Sequence, residues 1–128
     1  MPNMWPSIFA IFCGAGLGAL LRAGFNLVTV SVASTLPLGT FISNMVGGYF
    51  IGIAVAFFGN NQNLSPEWKL FVITGFLGGL TTFSSFSAEV VGFMQRGEVS
   101  WALGTALLHL AGSLCLTFLG ILTYQALK

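Results

Sequence analysis

The sequence predicts an all-α integral membrane protein of four transmembrane helices, and two observations carry that prediction. Hydrophobic residues make up 55% of the chain and charged residues only 5%, where a soluble domain carries about 25% charge. The apolar residues fall in four long runs parted by short polar stretches, and at roughly 20 residues per span four spans use most of the 128 residues. The chain reads as one transmembrane domain over residues 1–128, with nothing left for a catalytic domain outside the membrane. The first run has no basic segment before it and no polar mature domain after it, so it reads as a span and not as a cleavable signal.

Helix one is expected from about Ser7 to Val32, with Pro6 where a first helical turn tolerates proline and Trp5 at interfacial depth. Ser34, Thr35 and Pro37 make a short uncharged turn, and helix two runs from about Leu38 to Phe58. The polar stretch from Gly59 to Asn63 is a solvated loop. Ser65, Pro66 and Glu67 then read as a helix start, with a hydroxyl cap, a first-turn proline and an acid near the positive dipole end. Helix three therefore begins near Trp68 and runs to about Gln95. A loop at Arg96, Gly97 and Glu98 follows, and helix four extends from Trp101 almost to Lys128.

A formal net charge of +1 offers no basic surface, so nucleic acid is excluded as a partner. Cys13 and Cys115 lie inside apolar runs, where a thiol behaves as a small buried hydrophobe, and they imply neither a disulfide nor a metal site. The stretch Gly14-Ala15-Gly16-Leu17-Gly18-Ala19 satisfies the dinucleotide pattern G-x-G-x-x-A. The pattern needs an acid about 20 residues on, whereas the first carboxylate after it is Glu67. The glycines are better read as a helix-packing face.

The middle of helix three, Gly75-Phe76-Leu77-Gly78-Gly79-Leu80-Thr81-Thr82, is rich in glycine and β-branched threonine where a regular helix is expected. A break is predicted there, which would free carbonyls that protein, water or an ion must satisfy. The alternative is a seam of small residues at which helices approach closely.

Past the glycines, Phe83 and Phe86 stand three residues apart and share a helical face, with Ser84 and Ser87 on an adjacent one. Helix four carries Thr105, His109, Ser113 and Thr117 at intervals of four, and helix two adds Thr40, Ser43 and Asn44. Such neutral donors could form a track for a small anion that must exchange its hydration shell for hydrogen bonds, and aromatic ring edges carry partial positive charge. The plainer account is interhelical hydrogen bonding, at around 0.6 kcal/mol a bond. His109 reads as a structural donor and is assigned no role. Arg22 and Glu89 are different in kind, since a charge at the centre of a span costs roughly 2.5 to 3.5 kcal/mol. Both lie off-centre, which suits wet vestibules at the pore mouths; a direct pair between them is the other arrangement.

Four spans put both termini and the Asn60–Glu67 loop on one side with Lys69 and Lys128, leaving Arg96 and Arg22 for the other. With so little bias in Lys and Arg, the chain can insert either way up. An antiparallel homodimer would then bring two broken third helices together near the midplane, where their carbonyls could enclose one cation.

Three stretches carry a resemblance to a known family. They are Ala15-Gly16-Leu17-Gly18-Ala19-Leu20-Leu21-Arg22, Gly39-Thr40-Phe41-Ile42-Ser43-Asn44-Met45-Val46-Gly47, and the run from Gly75 to Glu89, which is the most specific. The chain resembles the Fluc (CrcB) fluoride channels over essentially its whole length. The resemblance implies a dual-topology dimer that exports fluoride passively across the bacterial inner membrane and is not an enzyme. It implies that Phe83 and Phe86 are pore aromatics with Asn44 beside them as an amide donor, and that Ser84, Ser113 and Thr117 supply a hydroxyl track. It further implies a structural sodium ion on the backbone carbonyls of Gly78 and Thr81 from both subunits, and Arg22 and Glu89 near the vestibules. Many relatives have Ser-Thr-Phe where this chain has Ser84-Ser85-Phe86, the loss of a methyl group. Three rivals fit less well. A dual-topology multidrug exporter needs a central carboxylate that helix one lacks, a non-conducting assembly subunit leaves the break unexplained, and a membrane enzyme lacks an evident nucleophile and base.

Overall fold

The structure is a computed structural model that describes residues 3–32 and 36–128. The turn expected at Ser34 and Thr35 lies outside the described residues. Among those described, every regular element is helical: α1 is Trp5–Val32 and α2 is Leu38–Asn60. A turn at Pro66–Lys69 leads without interruption into a π-wound segment, Leu70–Leu77, and a last α-helical turn, Gly78–Leu80. We label this run α3 (residues 66–80). α4 is Phe83–Gln95 and α5 is Val99–Leu127. Taking α3 and α4 together as Pro66–Gln95, four helices are long and apolar enough to cross a membrane.

The start of α3 follows the sequence closely. Ser65 Oγ accepts the Glu67 backbone N–H at 3.3 Å and its hydroxyl donates to the Glu67 carboxylate, while Pro66 occupies the first turn. At the other end of the hairpin, Gly97 takes φ +75, a left-handed conformation that glycine alone adopts without strain. The Glu98 N–H then reaches back to the Phe93 carbonyl at 2.8 Å and closes the turn between α4 and α5.

α1 lies against α3, α2 against α5, and α1 also meets α2 while α4 packs on α5. The first contact is made by backbone. A Cβ on Gly18 would run into the Phe76 carbonyl, and one on Gly79 would run into Ala15, 3.0 Å from its Cα. Without a hydrophobic drive between helices in lipid, such small residues permit the close approach that packing needs. The fully covered interior is correspondingly small. Among the described residues Ala54, Leu77 and Leu80 form its one buried apolar cluster, flanked by Phe25, Val46, Ile73 and Phe76, and Phe93 and Ala102 are buried outside that cluster. Large apolar side chains such as Phe12, Leu20, Leu107 and Phe118 face outward, as a lipid-facing surface requires.

The winding of α3 was not anticipated from sequence. The Gly78 N–H donates to the Ile73 carbonyl five residues back, as well as to Gly75. π-turns of this kind are rare and concentrate at functional sites.

Candidate functional site

The predicted break is present, and it falls on two residues. Thr81 (φ −87, ψ 156) and Thr82 (φ −151, ψ 116) are extended between the end of α3 and the start of α4. An extended pair inside a membrane-spanning helix interrupts the hydrogen-bond ladder, so each freed group needs another partner.

Side chains supply most of those partners. Asn44 on α2 bridges the gap: its Oδ1 accepts the Thr82 N–H at 2.8 Å and its Nδ2 donates to the Thr82 carbonyl at 3.1 Å. The Thr82 N–H can only donate, which fixes the orientation of the Asn44 amide. The second hydrogen on Nδ2 is then directed at Nδ1 of His109, 3.2 Å away on α5. That nitrogen must accept, so the neutral imidazole carries its proton on Nε2. Thr82 also caps α4, its hydroxyl accepting the Ser85 N–H at 3.1 Å. On the other side of the break, the Thr81 N–H and hydroxyl both donate to the Leu77 carbonyl, at 3.0 and 2.8 Å. Arg22 Nε donates to the Gly79 carbonyl at 3.1 Å. Among the described residues, no donor meets the carbonyls of Gly78 and Thr81.

Beside the break runs an open groove of about 470 Å³. Asn44, Gly78, Thr81, Phe83, Phe86, Ser113 and Thr117, all singled out in the sequence, line it together with His109. No Asp, Glu, Lys or Arg is among the lining residues. Phe83 and Phe86 sit with ring centroids 5.6 Å apart and planes tilted by 60°, and Phe83 is 77% exposed on this single chain. Thr117 donates its hydroxyl across to the Gly48 carbonyl of α2 at 2.8 Å, tying the groove wall together.

The remaining predicted residues lie elsewhere. Ser84 is outside the groove lining, its hydroxyl 3.2 Å from that of Thr82. Arg22 and Glu89 take different partners: Glu89 Oε2 accepts the Thr40 hydroxyl at 2.6 Å. The one ion pair among the described residues is the exposed Arg96–Glu98 contact at 3.1 Å. Glu89 Oε1 and Ser43 Oγ are buried without a partner there.

Two residues matter more than sequence reasoning allowed. His109, 5% exposed, forms the common wall between the groove and a second cavity of about 160 Å³ bounded by Phe41, Phe93, Trp101 and Thr105. Its ring lies 4.6 Å from that of Phe86 and 5.2 Å from that of Phe41. The four-residue spacing with Ser113 and Thr117 was the signal that placed it on this wall. Thr82 was legible as the hydroxyl residue just before a fresh helix, the usual place of an N-cap.

The chain is similar to known proteins over nearly its whole length. The family model described as "CrcB-like protein, Camphor Resistance (CrcB)" matches residues 9–121. A protein of Polynucleobacter asymbioticus named fluoride-specific ion channel FluC is 80% identical over 98% of this chain and 100% of its own length. Proteins of the same name from Pseudomonas aeruginosa and Nitrosomonas europaea are 53% and 51% identical, covering 92% and 98% of this chain and 93% and 98% of their own.

Proposed function

We propose that this chain, which belongs to the CrcB-like family, is the subunit of a fluoride-selective channel that lets fluoride leave a bacterial cytoplasm passively. It is a multi-pass membrane protein and a channel rather than an enzyme. The observation that carries the reading is the groove, where two phenylalanines and a run of neutral hydroxyl and amide groups meet beside a broken helix, with no fixed charge on its walls. An anion that sheds water in such a place is met by donors and ring edges of moderate strength, which stabilise it without trapping it. Ser113 lends a hydroxyl to that wall, Phe83 and Phe86 present their rings, and Asn44 holds the break in shape with both of its amide hydrogens and its Oδ1.

The groove also argues for a second copy of the chain. It opens sideways between outward-facing Phe83, Leu110 and Leu114, and in a bilayer its amides, hydroxyls and bare carbonyls would meet lipid. Polar backbone at membrane depth is tolerated only against protein or water. An antiparallel homodimer, for which the near-balanced Lys and Arg distribution leaves the chain free, would cover it. The carbonyls of Gly78 and Thr81 lack donors among the described residues, and unwound carbonyls of this kind suit a hard monovalent cation such as sodium. Two from each subunit would hold it at the dimer centre, where the ion would neutralise the freed carbonyl dipoles.

Purified protein in liposomes loaded with fluoride or chloride tests the function. Rapid fluoride efflux with chloride retained is expected; retention of both ions, or equal loss of both, overturns it.

A further inference from the structure

We propose that Arg22 is a positioning residue for the cation brace, a built-in cap that fixes the end of α3 so that the neighbouring Gly78 carbonyl is correctly aimed. The proposal rests on the sodium reading above. Gly14, Gly18 and Arg22 recur at intervals of four on α1 and therefore share one face. That face is the one applied to α3: Gly14 lies against Gly75, and Gly18 against Phe76 and Leu80. The two helices run parallel, so Arg22, one turn beyond Gly18, stands just past the last residue of α3. Helical side chains lean towards their own N-terminus, which carries the guanidinium back over that end to the Gly79 carbonyl at 3.1 Å.

This is where a helix most needs a cation. The C-terminal turn of α3 carries the negative end of the helix dipole, and the break has removed the amide that would have bonded Gly79, since residue 83 belongs to α4. The turn is also weakly specified, because Gly78 and Gly79 are poor helix formers. Packing of Gly79 on Ala15 sets its distance from α1, and among the described residues the Arg22 bond is the side-chain contact that holds its carbonyl. Successive helical carbonyls are turned about 100° apart. Holding the carbonyl of Gly79 therefore also holds the rotation of Gly78, the neighbouring residue that lines the groove. No carboxylate lies within ion-pairing distance of Arg22 among the described residues, and the Gly79 carbonyl is the partner its Nε has there.

Charge and geometry make opposite predictions. As a mere positive charge, Arg22 would repel a cation bound one residue away, and its removal would tighten sodium binding. As a positioning group, its removal loosens binding. The test is a sodium titration of thermal stability for purified dimer at constant ionic strength, comparing wild type, Arg22→Met and Arg22→Lys. Loss of one charge-assisted hydrogen bond should raise the half-saturating sodium concentration roughly tenfold or more in Arg22→Met. Arg22→Lys, which keeps the charge but loses the planar fork, should be raised as well, and it serves if the Met variant does not fold. Fluoride flux should recover in both variants at saturating sodium. An unchanged or lowered half-saturation in Arg22→Lys overturns the proposal. A wild type that does not respond to sodium overturns the brace itself, and the proposal with it.

Discussion

Replacing Asn44 by Leu removes an amide of similar volume from the one side chain that spans the break. Three hydrogen bonds disappear together: from the Thr82 N–H at 2.8 Å, to the Thr82 carbonyl at 3.1 Å and to His109 Nδ1 at 3.2 Å. At the membrane average of around 0.6 kcal/mol a bond, the loss comes to about 2 kcal/mol. The Thr82 N–H and the imidazole acceptor are also left bare in a part-buried place, and unsatisfied groups cost about 1 to 3 kcal/mol each. The bare-group cost already contains the lost bonds, so the two figures overlap and a destabilisation of about 2 to 6 kcal/mol is expected, measured as detergent-induced unfolding of the purified protein by circular dichroism. Asn44→Asp, whose neutral carboxyl keeps an acceptor for the Thr82 N–H and offers one O–H donor in place of two N–H donors, should fall between wild type and Asn44→Leu. Fluoride efflux from liposomes should be lost in Asn44→Leu even where folded protein is recovered, because the break no longer holds its shape. A stability change below about 0.5 kcal/mol, or full efflux, refutes the assignment of Asn44 as the bridge across the break.

Replacing Phe83 or Phe86 by Ile should cut fluoride flux without dissociating the assembly, and full activity in both variants would reduce these rings to packing. Thr117→Val removes the 2.8 Å bond to Gly48 while keeping the shape of the side chain. It should cost only about 0.6 kcal/mol of stability, so a large loss of flux at that cost would place the hydroxyl on the ion path. Gly18→Val drives a side chain into the Phe76 carbonyl, and overpacking of this kind should destabilise by about 1 to 3 kcal/mol or more in the same unfolding assay. A C-terminal tag should be reached by impermeant label from both sides of the membrane; one-sided labelling sinks the antiparallel arrangement.

Much of this architecture was written in composition and punctuation. Four apolar runs gave four spans, the Ser65-Pro66-Glu67 start behaved as its capping chemistry demands, and the Gly78-Gly79-Leu80-Thr81-Thr82 stretch announced the break. The choice of partners was much less legible. In a lipid-facing bundle the inner and outer surfaces are both apolar, so periodicity does not say which helix meets which. The pairing of α1 with α3 was hinted at only by the Gly14 and Gly18 stripe. Arg22 and Glu89 read as vestibule charges because insertion energetics sees depth alone. Their bonds to the Gly79 carbonyl and the Thr40 hydroxyl depend on tertiary placement. His109 carried a spacing but no partner until Asn44 was fixed across from it.

The π-wound segment Leu70–Leu77 has a consequence for how this chain tolerates change. A π-turn accommodates one residue more than the α-helical ladder would, so the segment acts as a phase shift between the capped start of α3 and its broken end. Deleting a single residue from it should let the helix relax into ordinary winding, which could even suit the backbone. Everything beyond would then arrive about 100° out of phase, with the Gly78 and Gly79 carbonyls turned from the directions they now face. The segment's length is thus under tighter control than its side chains: substitutions that keep it apolar should be absorbed, whereas loss or gain of one position should silence the channel while leaving a well-folded membrane protein.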